Sequence, residues 1–489
     1  MSTYEEQFVQ GIHSDNPWWS GERTWEIPKF KRSDYDLFAQ ELGEHKVCVL
    51  LGPRRCGKTT LIMQLIQCLL EEKKVDPKRI LFVSLDRPFY ALHEQKLQDA
   101  IRYYEEHILG KLLHDSKDQI YLFADEVHYD TLWARVLKQY VDQNLPVYAI
   151  VSGSSAKAVY EGQESGAGRF HIRQMVTIKF RDALRWQDPK NERNTKELSK
   201  QLREALLKSV KNKDVSDYQK AVNDVMRLSG ERLATIKACL EKYLLRGGYP
   251  EFWQNENWRE ISRHYQTDVF DVILQKDVVA ISNIREPQKV RTLLVLIAQH
   301  TARILKREKI RETLNLQSEK TVDSYVDALA EAFLIRTAAR YREGGFPSTK
   351  SRKYYAADTG LRNAVLGVAD QNFSSEERGA LLETAVFNPC LRLLYHADRL
   401  LRQDGQYWQG EKGGEETERD IVLDFRRTHH TTIPIEVKNG TCGKDDIKKM
   451  GITINKLKAP FGIIICKDRT GTEKGNILLL PPWAFMLSC

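Results

Sequence analysis

The 489-residue chain has no uninterrupted apolar run of about 18 residues, the length a helix needs to cross a bilayer, so no membrane-spanning helix is expected. Its start, MSTYEEQFVQGIHSDNPWW, lacks the basic opening and apolar stretch of an export signal. The eight cysteines fall singly, with no CxxC spacing, which speaks against zinc and for a reducing, cytoplasmic setting. A large charge imbalance is absent too. Lys and Arg total 75 against 67 Asp and Glu, a formal charge of +8 that permits a polyanionic partner without demanding one. What the chain does have is length, enough for roughly three domains.

Residues 47–66, VCVLLGPRRCGKTTLIMQLI, join an apolar strand to a helix through a GxxxxGK[ST] phosphate loop. Gly52, Pro53, Arg54, Arg55, Cys56, Gly57, Lys58, Thr59 and Thr60 would cradle the phosphates of ATP. The glycines let the backbone close around phosphate oxygens, and the helix start offers N–H groups and a positive dipole end. Lys58 would reach the β- and γ-phosphates, and the Thr59 hydroxyl would ligate Mg²⁺. A second apolar run, Ile120–Ala124, ends in Asp125-Glu126. Asp125 would hold the Mg²⁺ shell, and Glu126 would polarise the attacking water. A third, Pro146–Val151, ends in Ser152-Gly153-Ser154-Ser155, with Ser154 the candidate sensor of the γ-phosphate. Arg169, on the glycine-rich turn Gly166-Ala167-Gly168, reads either as an arginine finger, in cis or from a neighbour, or as a plain loop cation.

Strands at 47–51, 80–85, 120–124 and 146–151 alternate with helical patterns, predicting an α/β fold with a parallel sheet of the RecA/AAA-like P-loop NTPase kind over residues 46–186. Residues 1–45 form a lead-in packing on that domain, where Asn16-Pro17-Trp18-Trp19 and Trp25 either dock or pack over a nucleobase. Residues 187–254 read as a helical lid or insert with a hinge at Leu244–Glu251; Leu198, Leu202, Leu206 and Val210 fall four apart. Residues 255–365 suit a winged-helix domain, with Ser318 capping a helix whose inner face carries Val322, Tyr325, Val326 and Leu329. Lys320 and Thr321 would face a groove if that module binds DNA.

The last part, residues 366–489, carries a second constellation. Glu383 lies on a predicted helix, Asp420 opens a strand, and Glu436 and Lys438 stand two apart on another, so that their side chains share a face. Helix, strand, strand presenting Glu, Asp and Glu-x-Lys is the layout of PD-(D/E)xK nucleases. In that reading Asp420 and Glu436 bind Mg²⁺ (or Mn²⁺), Glu383 completes the metal shell and Lys438 positions water or stabilises developing charge. A solvated ion-pair face is the alternative for Glu436 and Lys438.

The order of these motifs, with RGGYPEF, YYAADTGL and IEVKNG among them, resembles a prokaryotic family. Its members join an AAA-like P-loop ATPase, a winged-helix middle and a restriction-endonuclease-like C-terminal domain. The resemblance implies a link to genome defence or mobile elements. Two departures stand out: His128 replaces a usual glutamine after the acidic pair, and Arg419-Asp420-Ile421 replaces a Glu-Val-Asp-Phe run. The resulting expectation is an ATPase whose nucleotide state gates a Mg²⁺-dependent nuclease acting on nucleic acid, DNA foremost. The rival expectation is an ATP-driven switch, possible as a homo-oligomer, whose C-terminal domain binds without cutting.

Overall fold

A computed structural model of the chain describes residues 3–22, 26–43, 47–90, 93–154, 169–279, 284, 286–342, 348–398, 404–410, 418–467 and 469–489. Trp25, Gly166 and Gly168 lie outside them. The chain divides into two compact units, Met1–Val176 and Thr177–Cys489.

In the first unit, strands β1 (Val47–Leu51), β2 (Ile80–Ser84), β3 (Ile120–Asp125), β4 (Val147–Gly153) and β5 (His171–Gln174) form one sheet in the order β2-β3-β4-β1-β5. Every pairing is parallel. Strands β1, β2 and β4 are buried along their whole length, as expected where helices cover both faces of a parallel sheet. β5 escaped the sequence reading because its residues, His-Ile-Arg-Gln, carry no apolar run; it is an edge strand.

The lead-in completes the other edge. The Asn16 side chain donates to the Phe82 carbonyl and accepts from the Phe82 N–H, both at 2.7 Å, as a neighbouring strand would. Trp18 and Trp19 both donate their indole N–H to the Ile80 carbonyl. Ile80 begins β2, at the end of the sheet remote from the strand tips that bear the phosphate loop, so these tryptophans pack as docking groups and not over a nucleobase.

In the second unit, the helices Glu192–Asn212, Ser216–Val225 and Gly230–Arg246 occupy the segment read as a lid or insert. They are core instead. Leu202, Leu206 and Val210 are fully buried in one cluster with the C-terminal helix Pro482–Leu487. Ser199 also donates to the Leu487 carbonyl at 2.6 Å. The turn expected to be a hinge is clasped. Asp358 accepts from the Gly248 N–H at 2.7 Å, the Leu361 N–H at 3.1 Å and the Tyr265 hydroxyl at 3.2 Å. A Cβ on Gly247 (φ +68) would fall 1.9 Å from Asp358 Oδ1, so glycine is required there. RGGYPEF and YYAADTGL, distant in sequence, are two halves of this one clasp.

The middle segment runs helix Pro287–Gln299, strand β6 (Arg303–Lys306), helices Arg307–Thr313 and Glu319–Glu331, then strands β7 (Ile335–Arg340) and β8 (Ser348–Ala356). The Ser318 hydroxyl caps the Glu319–Glu331 helix, accepting from the Thr321 N–H, and Val322, Tyr325, Val326 and Leu329 face inward. After it come the long helix Ser375–Asp398 and strands β9 (Asp404–Gln409), β10 (Glu418–Arg419), β11 (Ile421–Asp424) and β12 (Thr432–Val437). The helix Lys444–Leu457 and strands β13 (Gly462–Ile465), β14 (Gly471–Glu473) and β15 (Ile477–Leu480) follow.

Two sheets result: β10-β9-β7-β8-β6 and β11-β12-β13-β15-β14. β9 pairs with β7, so a boundary drawn at residues 365/366 passes through a single sheet. That shared sheet brings β8 beside the C-terminal acidic residues.

Candidate functional site

Because β1, β4 and β3 are neighbours and parallel, their tips converge on one end of the first sheet. The phosphate loop leaves β1 there. A Cβ on Gly52 would lie 1.8 Å from the Met175 carbonyl oxygen, and Gly57 has φ +96, so both glycines are dictated by backbone geometry. Arg32 braces the loop from outside, donating to the carbonyls of Cys56 and Val176 at 2.8 Å each.

Lys58 is buried at the start of the helix Lys58–Gln67, with its ammonium donating to the carbonyls of Gly52 and Pro53 at 2.9 Å. The Thr59 hydroxyl donates to Asp125 Oδ2 at 2.5 Å. Burial, together with the neighbouring charge of Glu126, raises the Asp125 pKa. A buried carboxylate beside a hydroxyl, at a helix N-terminus with a lysine in the loop, fits the phosphates of ATP with Mg²⁺. Thr59 and Asp125 would hold the ion, which neutralises phosphate charge.

The serine that reaches Asp125 is Ser152, which hydrogen-bonds Oδ1; Ser154 is buried just past the tip of β4. Glu126 has left-handed backbone, φ 53 and ψ 46. Arg54 stands 3.7 Å from its Oε1 and His128 Nδ1 3.2 Å from its Oε2. The residue that departs from the resembled pattern, His128, therefore touches the proposed water-polarising carboxylate. Arg169 is elsewhere. It pairs with Asp142, at the end of the helix Trp133–Asp142, and precedes β5. β5 runs parallel to β1, so Arg169 sits at the pole of the sheet opposite the phosphate loop, and action in cis is not the arrangement seen.

Residues 44–184 match the family model described as AAA domain. The first unit has the AAA-like P-loop ATPase fold. Residues 237–372 match a domain of unknown function (DUF8612). An uncharacterized protein of Haemophilus influenzae is 23% identical over 359 residues, covering 72% of this chain and 75% of its own. Among solved structures, a Walker-type ATPase of Pyrococcus abyssi is similar with 12% identity and TM-score 0.41, covering 71% of this chain and 99% of its own. The ORC1 protein of Aeropyrum pernix, solved in complex with DNA, has 10% identity and TM-score 0.30, covering 70% and 94%. Among the described residues no helix is long and apolar enough to cross a membrane.

In the second unit, Glu383, Asp420, Glu436 and Lys438 come together, but with company the sequence reading missed. Glu383 Oε1 accepts from the Tyr355 hydroxyl at 2.8 Å and from Lys353 Nζ at 3.3 Å. Asp420 Oδ1 accepts from Lys353 Nζ at 3.1 Å, and its Oδ2 accepts from the Val437 N–H at 2.8 Å. Glu436 lies between Arg419, 3.0 Å from Oε2, and Lys438, 2.8 Å from Oε1. Lys438 also pairs with Asp446 at 3.2 Å. A cavity of about 220 Å³ opens beside Lys438, lined by Lys237, Arg378, Lys467 and Trp483 among others.

Oxygen donors of this kind suit a hard cation, yet among the described residues no three His, Cys, Asp or Glu side chains are placed to hold a metal ion. In this arrangement the cluster does not fit a divalent metal. Lys353 pairs with Glu383 and Asp420, and Arg419 with Glu436. Arg419 was visible as a departure beside Asp420. Lys353 was signalled only by its i, i+2 relation to Tyr355 on β8, which sends both toward Glu383.

Burial, then repulsion from Asp420, raises Glu383 from 4.5 to about 8 and Glu436 to about 7. Folded carboxyls with raised pKa values keep protons that the unfolded chain has released, so their contribution to stability declines as pH rises from about 4.5 toward 8. The denaturation midpoint of the second unit should be higher near pH 5.5 than near pH 8, by a margin that shrinks in Glu383→Gln. A margin identical in that variant would show that Glu383 is not the titrating group.

Proposed function

We propose that this protein hydrolyses ATP and acts on DNA, the nucleotide state of its first unit gating a PD-(D/E)xK nuclease-like domain at its C-terminus. The observation that carries the reading is the meeting of Glu383, Asp420, Glu436 and Lys438 at one place. They arrive from a helix, the bend before β11, and β12, with a helix and the parallel strand β13 following. A helix and two strands presenting Glu, Asp and Glu-x-Lys, followed by a buried closing strand, is the order such a domain requires. The middle segment, with helix, strand, two helices and two strands, supports a winged helix, and Lys320 and Thr321 open its Glu319–Glu331 helix.

The neutralised acids favour the rival reading as well, a switch that binds nucleic acid without cutting. Arg169, half-exposed at the far pole of the sheet, suits a contact in trans within a homo-oligomer. The eight cysteines are all buried and unpaired, in keeping with a reducing cytoplasm.

Plasmid, linear and single-stranded DNA incubated with Mg²⁺ or Mn²⁺, with and without ATP, separate the two readings. Cleavage lost in Lys438→Ala and altered in Lys58→Ala is the expected result. ATP hydrolysis without cleavage of any substrate would leave the switch.

A further inference from the structure

Lys353 is a cation built into the middle of the acidic cluster. Its ammonium lies within 3.3 Å of Glu383, 3.1 Å of Asp420 and 2.9 Å of Glu418, and its side chain is 3% exposed. The ammonium donates to Glu383 and Asp420 and pairs with Glu418, so an acidic side chain meets it on each of three sides. It enters from β8, in the sheet that the middle segment shares with β9, and not from the bend that carries Asp420 or from β12, which carries Glu436. A divalent ion needs the same Glu383 and Asp420 oxygens and would be repelled by a positive charge already among them. Occupation by Lys353 and by a metal are therefore mutually exclusive.

We propose that Lys353 is the resident cation of this cluster, seated where Mg²⁺ or Mn²⁺ would sit, and that the cluster takes a divalent ion only when Lys353 withdraws or is removed. The inference rests on the nuclease-like reading of the domain. It adds a fifth residue to the site, contributed by the middle segment. The flexible four-carbon stem of lysine makes withdrawal a side-chain event.

Mn²⁺ binding to the full chain, measured by calorimetry and electron paramagnetic resonance without nucleotide, tests it. A Thr59→Ala/Asp125→Asn background removes both candidate ligands of the ATP site. That parent should bind Mn²⁺ weakly. Adding Lys353→Met should tighten binding about tenfold or more, and further adding Asp420→Asn should abolish the gain. Should Lys353→Met fail to fold, Lys353→Gln/Glu418→Gln removes one charge of each sign and is read the same way.

Tight Mn²⁺ binding by the parent that disappears with Asp420→Asn would overturn the proposal while leaving the nuclease reading intact. Absence of any gain in the lysine variants would overturn it too. A gained Mn²⁺ site without cleavage of any DNA would instead uphold Lys353 as the resident cation and defeat the nuclease reading.

Discussion

Glu126→Gln should lower the turnover number for ATP by about 10²–10⁴-fold, the usual worth of a positioned general base, while ATP still binds. The proposed phosphate contacts come from Lys58, Thr59 and the loop backbone, none of which the substitution touches. Glutamine keeps the shape of the side chain, so its contacts with Arg54 and His128 lose charge and little else. Turnover measured at saturating ATP, beside nucleotide affinity by equilibrium titration, separates the two effects. Unchanged turnover would remove Glu126 from the chemistry, and lost affinity would make it a binding residue.

Lys353→Met should destabilise the second unit by roughly 3–5 kcal/mol in metal-free buffer, because removing one partner of a buried ion pair leaves the other charges uncompensated. Glu383 and Asp420 are both largely buried, so water cannot replace the lost ammonium. Glu418, more open to solvent, should matter less: Glu418→Gln is expected to cost about 1 kcal/mol or less. Chemical denaturation reports both values. A cost for Lys353→Met no larger than that of Glu418→Gln would mean that the lysine is not what neutralises the acids.

The ATP site was legible because its chemistry and its fold use the same local signals. Apolar runs ending in Gly52, Asp125 and Ser152 mark parallel strands whose tips meet, and the glycines mark a loop that must approach phosphate. β5 was not legible, since an edge strand of polar residues carries no apolar pattern. The long-range contacts were hidden for another reason. Asp358 and Gly248 are 110 positions apart, and Lys353 and Asp420 are 67 apart; no periodicity links such pairs.

Charge-rich helices misled in the opposite direction. From Leu198 to Val210 every fourth residue of Glu192–Asn212 is apolar, which shows an amphipathic helix but not which surface it covers. That surface proved to be the core of its own unit. Arg419 shows the limit of reading by pattern: it is visible as a departure beside Asp420, but no pattern shows that it places a guanidinium on Glu436, 17 positions on.

Hydrogen exchange across the Val437 N–H tests the gating claim most directly. That amide is held by Asp420 Oδ2, so it reports the same carboxylate that Lys353 occupies. With a non-hydrolysable ATP analogue bound, faster exchange in the peptide carrying Val437 is predicted, absent in Lys58→Ala. Protection gained at the phosphate loop with no change at Val437 would contradict gating and leave the two units acting independently.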